Sequence, residues 1–530
     1  MNRPNRLRTV AARALGVLLS CAVSSPAFAQ TTAPQWTGTW SAAPAVTSDP
    51  GFDNQTIRQI VHTSIGGTAA RLRFSNLFGT QPVTIGNVHL AQRASGAQTV
   101  AATDRVATFN GQSYVTIPAG SSMSSDTIAF PVPTLGDIAV SVHVPSKTPP
   151  NSTGHVAGLQ DVYIAPGDAS GDASFAGGVA NAAGERSYYF LTNVDVVNAG
   201  ATGAVVTFGA SITDGLSSAP NTNGRWPNRL AGRLIGAGIN VGVLNQGISG
   251  NNFFSDGAAS GQAGLTRFGR DVLQQANVKW VIVSDDAVNN LIGGDPPTAQ
   301  RLVDAFRELI AQAHAANVKI ICSTLTPFQG VSRWTPGIEN TRQAVNAFLR
   351  DKSSGCDGLL DQALALGGAG IGASAFAAAF NSGDNLHPND AGMQAIADAA
   401  NLGWFAALPA VRAPSGCGRL APGEGLLVGQ TLASCDGRFS LTLGRDGYLA
   451  IVVNGAAIWS SSAAGAPGVV MRFAEDGALS LYNASGARVW QSTKTDAAGY
   501  AYMQRDGNLV VYSTAGKPVW ATGTATGAAQ

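Results

Sequence analysis

The stretch Ala204-Val205-Val206-Thr207-Phe208-Gly209-Ala210-Ser211-Ile212-Thr213-Asp214-Gly215 decides how the centre of this chain is read. Residues 204–208 form a short apolar run, of the kind that reads as a strand buried on both faces in a parallel sheet. Ser211 follows it in a turn of small residues. A serine placed there is presented at the strand's carboxyl end, where open α/β sheets bind ligands. A helix beginning after the turn adds backbone N–H dipoles to the same place. Ser211 is therefore a candidate nucleophile, with a plain helix cap as the alternative.

Working outward, similar runs occur at 241–244, 280–283 and 318–322. Helical periodicity lies between and after them. Residues 299–315 place Leu302, Val303, Phe306, Leu309, Ile310 and Ala313 on one face, and 391–400 form a second helix. Alternating strands and helices predict an α/β doubly wound domain over residues 200–408.

A nucleophilic serine needs a base. Four of the six histidines, His62, His89, His143 and His155, precede this region, and His314 falls late in a helix as a boundary residue. His387 differs, lying in Asp384-Asn385-Leu386-His387-Pro388-Asn389 just before a helix. Asp384 can accept from one ring nitrogen while the other faces a serine. The alternative is a turn that caps the helix. Strand 241–244 ends in Asn245-Gln246-Gly247-Ile248-Ser249-Gly250-Asn251, and strand 280–283 leads to Ala287-Val288-Asn289-Asn290. Both emerge at the edge that carries Ser211. A glycine N–H and an asparagine amide there can aim donors at a developing oxyanion.

Together these four blocks resemble the SGNH, or GDSL-type, esterase/lipase family over residues 200–405. The resemblance implies Ser211 as nucleophile, His387 as general base and Asp384 as its orienting partner. It implies an oxyanion hole from the Ser211 N–H, the Gly247 N–H and the Asn289 side chain. The implied reaction is ester hydrolysis through an acyl-enzyme, with no metal and no organic cofactor. Ala210 stands where the family carries the aspartate of Gly-Asp-Ser. Ala287 and Asn290 replace the glycine and aspartate of Gly-x-Asn-Asp. These changes spare the reacting groups and alter what supports them, which implies modest activity or a shifted substrate range.

Residues 35–195 read differently. Short alternating runs at 56–65, 70–75, 83–90 and 138–144 are separated by turn signals, which predicts an all-β, sandwich-like domain. Trp36-Thr37-Gly38-Thr39-Trp40-Ser41-Ala42-Ala43-Pro44 and Asn76-Leu77-Phe78-Gly79 resemble the β domain that precedes SGNH domains in secreted bacterial enzymes similar to acetylxylan-esterase modules. Trp36 and Trp40 are expected in the core or at a domain interface.

Residues 409–424 read as a linker, and 425–522 contain an internal repeat. Asp446-Gly447, Asp476-Gly477 and Asp506-Gly507 fall 30 residues apart, and Trp459, Trp490 and Trp520 follow as expected core residues. Three copies of one β unit imply threefold pseudo-symmetry. On a single strand, Gln504, Asp506, Asn508, Val510 and Tyr512 would face one side. That run resembles the Q-x-D-x-N-x-V-x-Y motif of bulb-type, mannose-binding lectins. The resemblance implies a β-prism of three four-stranded sheets and one site for mannose-type sugars at those five residues. The alternative is that they only hold the fold together. The other two copies have lost the motif.

Composition bounds the rest. The 530 residues are 45 % hydrophobic and only 12 % charged, and 64 are glycine, so the chain is a core-forming, turn-rich, multidomain one. Residues 1–29 read as a signal peptide: Arg3, Arg6, Arg8 and Arg13, an apolar run at 14–23, and Ala27-Phe28-Ala29 as the cleavage signal. A lipidated Cys21 is the rival reading. Removing those four arginines from the 33 basic residues leaves 29 against 32 acidic, a net charge of −3. Such a balance gives no electrostatic footprint for nucleic acid, and no stretch has the ~20 apolar residues that a membrane span needs. Of the four remaining cysteines, an exported chain would pair Cys322 with Cys356 and Cys417 with Cys435, with free buried thiols as the alternative.

The sequence thus predicts a secreted serine esterase acting on short acyl groups of a glycan, with the periplasm or cell surface as further destinations. A lipase or general carboxylesterase with an adhesive lectin is the second reading. A carbohydrate-binding protein on a decayed hydrolase scaffold is the third.

Overall fold

The computed structural model describes residues 35–180, 186–405, 411–444, 446–461, 468–483, 488–493 and 498–525. The expected signal segment and the last five residues lie outside the described residues. Among those described, no helix is long and apolar enough to cross a membrane.

The central sheet has five parallel strands: β1 (Gly203–Gly209), β2 (Val241–Gly247), β3 (Val278–Val283), β4 (Lys319–Ser323) and β5 (Gly358–Leu360), in the order β2-β1-β3-β4-β5. The order reverses beside β1, so the β1 carboxyl end lies at the switch point where such sheets hold their ligands. Side chains alternate across β1. Ala204, Val206 and Phe208 enter one core with α4 (Ala299–Ala315) and α5 (Pro336–Arg350). Val205 enters the other with α2 (Trp226–Gly236) and α6 (Asp390–Ala399). All six apolar residues expected on the inner face of α4 are buried. Each contributes about 1.5–3 kcal/mol relative to an exposed position for the larger side chains.

Helix starts are chemically marked. Thr298 and Thr335 accept from the backbones of Arg301 and Ile338 at α4 and α5, and Asn389 caps α6 by accepting from Gly392 at 3.0 Å. The Cys322–Cys356 disulfide ties β4 to the segment leading into β5.

The N-terminal region has four antiparallel sheets, of seven, four, three and two strands, and a core that includes Ile57, Leu72, Phe74, Val140, Val142 and Val194. Strand Trp36–Ser41 lies against β2, the edge of the central sheet. Its contact requires bare backbone: a Cβ on Gly242 would stand 2.0 Å from the Gly38 carbonyl oxygen. The Val243 N–H donates to Ser64 Oγ at 2.9 Å and Ser41 Oγ donates to the Asn245 carbonyl at 3.1 Å. The exposed edge of β2 is thereby covered. Trp40 is 9 % exposed and meets Tyr188 edge-to-face.

The C-terminal region forms three four-stranded antiparallel sheets around one core. Trp459, Trp490 and Trp520 meet one another with ring centroids 5.8–6.4 Å apart. Strand Arg419–Leu420, inside the stretch read as a linker, pairs with Ala498–Met503, and Cys417 is bonded to Cys435. The ordered C-terminal region therefore begins before residue 425.

Candidate active site

β1 delivers Ser211 as the first residue of α1 (Ser211–Asp214), a four-residue helix. The His387 loop brings its imidazole to the same edge. Ser211 Oγ lies 2.8 Å from His387 Nε2, and His387 Nδ1 lies 2.5 Å from Asp384 Oδ2. Ionised Asp384 can only accept, so Nδ1 carries the proton and Nε2 is left to accept from the serine. The other Asp384 oxygen accepts the backbone N–H of both Leu386 and His387 at 2.9 Å. Partial burial acts to raise this carboxyl. The His387 backbone and ring and the Leu386 N–H outweigh it and bring it down to about 2. Helix capping in this loop falls to Asn389, which leaves Asp384 to the imidazole.

The start of α1 is held by Asp285, a buried carboxylate at the end of β3. Its oxygens accept from Ala210 N at 3.0 Å, Ile212 N at 2.7 Å, Thr213 N at 3.2 Å and Thr213 Oγ1 at 2.6 Å. The N–H of Ser211 lies between these donors and is passed over. Asp285 carries no signal of its own in the sequence, because it precedes the recognised block by two residues.

The loop after β2 is pinned on both sides. Ser249 N and Oγ donate to Asp214 Oδ2 at 2.9 and 2.7 Å. Asn289, on α3 (Asp286–Leu291), donates from Nδ2 to the Asn251 carbonyl at 2.8 Å. Arg267, fully buried, donates to Asn251 Oδ1 and to the carbonyls of Gln246 and Gly209. The expected oxyanion donor Gly247 is the last residue of β2, and its N–H donates to Asn245 Oδ1 at 2.9 Å. Gly250, at φ +81°, carries an N–H with no partner among the described residues. It sits between the two pinned residues Ser249 and Asn251.

Beneath this loop, Arg267 also meets Asp271 and Asp286 at 3.4 and 3.5 Å. Burial pushes Asp286 up to about 7, against the attraction of Arg267 and with some help from the charge of Asp285. Asn290, where an aspartate was expected, bonds the Phe253 N–H and the Asn252 side chain. Phe253 is fully buried in the core, meeting Phe306 at 5.3 Å.

In the C-terminal region the single strand expected for 504–512 is not formed. Residues 504–508 are a hairpin turn, and only 509–513 are strand. The reason is local. Gly507 takes φ +87°, and the Asp506 side chain accepts from Asn508 N at 3.0 Å. Gly447 and Gly477 repeat that conformation, and Asp446 and Asp476 repeat that bond. The turn still brings Gln504 Nε2 to Tyr512 Oη at 2.6 Å, while Val510 is buried. Asn508 Oδ1 accepts from the backbone of Gly523 and Thr524.

No curated protein matches the chain. Among solved structures, it is similar to a Marasmius oreades lectin at 27 % identity, over 21 % of this chain and 94 % of that one, with a TM-score of 0.20. It is similar to the mannose-specific agglutinin of snowdrop (Galanthus nivalis) bulbs at 31 % identity, over 21 % of this chain and 99 % of that one, with a TM-score of 0.17. It is also similar to a Bacteroides fragilis protein described as an acylhydrolase, at 21 % identity, over 37 % of this chain and 83 % of that one, with a TM-score of 0.29. Residues 207–395, the centre of this chain, match the model of the GDSL-like Lipase/Acylhydrolase family.

Proposed function

We propose that the protein is a serine ester hydrolase that removes short acyl groups from a glycan and docks on sugars through its C-terminal region. The observation that carries the reading is the bonded chain from Ser211 through His387 to Asp384. Ser211 Oγ attacks the ester carbonyl carbon and passes its proton to His387 Nε2. The Ser211 N–H, the Gly250 N–H and the Asn289 amide stabilise the oxyanion; Gly250 takes the place of Gly247, whose N–H is engaged. Collapse breaks the ester bond, and the leaving alcohol takes the proton from His387. Water then attacks the acyl-serine with His387 as base, releasing the acid.

The polysaccharide substrate rests on the sugar-type motif at Gln504, Asp506, Asn508, Val510 and Tyr512. Turn geometry uses the Asp-Gly pair in all three repeats, the second repeat shares the tyrosine position through Tyr482, and Gln504, Asn508 and Val510 are what the third repeat adds. A weak sugar site on the same chain raises the enzyme's effective concentration near its substrate. Two disulfides support an oxidising compartment outside the cytosol.

The test is hydrolysis of p-nitrophenyl acetate by the full chain beside Ser211→Ala, and retention on mannan beside Asp506→Ala and Gln504→Ala. Ser211→Ala is expected to lower turnover by about 10³-fold or more. Gln504→Ala is expected to lose mannan and keep small-ester hydrolysis. Equal hydrolysis by Ser211→Ala would overturn the catalytic reading, and equal retention by both lectin-region variants would overturn the docking reading.

A further inference from the structure

We propose that His155, contributed by the N-terminal β region, is a positioning residue for ester hydrolysis: through Asp214 it fixes the Ser249–Gly250 peptide that presents an oxyanion donor. This deepens the catalytic reading of Ser211 and Gly250 and rests on it. His155 is 59 residues from Asp214 in the chain, yet its Nε2 lies 2.8 Å from Asp214 Oδ1. Its Nδ1 lies 2.9 Å from the Ala43 carbonyl. A carbonyl can only accept, so Nδ1 donates; a carboxylate facing Nε2 makes that nitrogen a donor as well. The ring is therefore held as a cation clamped between the two regions. Its side chain is 7 % exposed and that of Asp214 is 3 % exposed. Burial alone would depress the imidazole, but the Asp214 carboxylate outweighs it and raises it above its ordinary value.

Asp214 is where this clamp meets the chemistry. It ends the four-residue helix that begins at Ser211, and its second oxygen takes both the N–H and the hydroxyl of Ser249. The next residue is Gly250. A second contact reaches the same loop: Ala43 and Ala45 pack with Ile248 in a small apolar cluster. The Val46 N–H donates to the Ala258 carbonyl at 3.2 Å. The N-terminal region therefore backs the loop directly at Ile248 and Ala258 and, through Asp214, at Ser249. A donor misplaced by about 1 Å can cost on the order of 100-fold in rate, which makes this backing consequential.

The test measures p-nitrophenyl acetate kinetics and thermal melting of the full chain. The variants are His155→Phe, His155→Gln, Ser249→Ala, the His155→Phe/Ser249→Ala double, and Ser211→Ala. His155→Phe is expected to lower kcat by about 10- to 100-fold with KM little changed, because the oxyanion exists only in the transition state. His155→Gln, which can still donate to Asp214, recovers part of that loss. Ser249→Ala loses about tenfold, and the double variant loses less than the product of the two. Unchanged kcat in folded His155→Phe, or losses that multiply, would overturn the proposal. If His155→Phe does not fold, Ser249→Ala decides, and an unchanged kcat there overturns it. Hydrolysis surviving Ser211→Ala would sink the catalytic reading and this proposal together; an inactive Ser211→Ala beside a fully active His155→Phe would sink this proposal alone.

Discussion

The Asp285 carboxylate accepts the backbone N–H of Ala210 at 3.0 Å, at the position where the Gly-Asp-Ser motif of similar hydrolases carries its own aspartate. Ala210 has only a methyl group and cannot hydrogen-bond the turn, and a carboxylate just past the neighbouring strand β3 does so. Three backbone donors and one hydroxyl converge on it. Asp285→Ala leaves those buried donors unpaired, at about 1–3 kcal/mol for each that finds no water. The variant is expected to melt at a clearly lower temperature and to lose turnover at temperatures where it remains folded. An unchanged melt would mean that α1 does not depend on this carboxylate.

Asp384 sets an acid dependence. Its folded-state value of about 2 lies below the ordinary 3.8, so its contribution to stability is present above about pH 4 and is lost as pH falls through 2. The difference in melting temperature between the wild type and Asp384→Asn should stay constant from pH 8 to 5 and shrink between pH 4 and 2. A difference that persists at pH 2 would contradict the assignment.

Asp286 has the opposite sign. Its folded-state value of about 7 lies above 3.8, so the folded state favours its neutral form. Stability is lost as pH rises from about 4 through 7, and no further loss follows above that. Asp286→Asn removes the dependence while Asp271 stays beside Arg267. Melts at pH 5 and pH 8 should show the variant gaining on the wild type at the higher pH.

The Cys322–Cys356 bond closes 34 residues around α5 and is worth about 2–4 kcal/mol by loop closure. Cys322→Ser/Cys356→Ser should melt lower, with p-nitrophenyl acetate turnover at 25 °C close to that of the wild type. A loss of turnover in folded protein would place the bond in the site rather than under it.

What was legible in the sequence was local. Ser211 follows its strand directly, and Asp384 and His387 share one loop, so contiguous residues carried them. Helix α4 runs over Ala299–Ala315 as its periodicity predicts. β5 went unseen because three residues cannot show a period. His155 and Asp285 went unseen because their partners are distant in the chain, and pairing across a fold leaves no pattern. Gly247 and Gly250 share one block, and only the partner of each N–H separates them. The Asp506-Gly507 pair was readable as a turn signal; alternation across 504–512 hid it.

The most direct measurement is mass spectrometry of the full chain after reaction with a fluorophosphonate ester, which captures an activated serine as a stable phosphonyl adduct. One adduct is expected, on the peptide containing Ser211, with little or none in folded His387→Ala. An adduct on a different serine, or an unreactive Ser211 in folded protein that still hydrolyses esters, would contradict it.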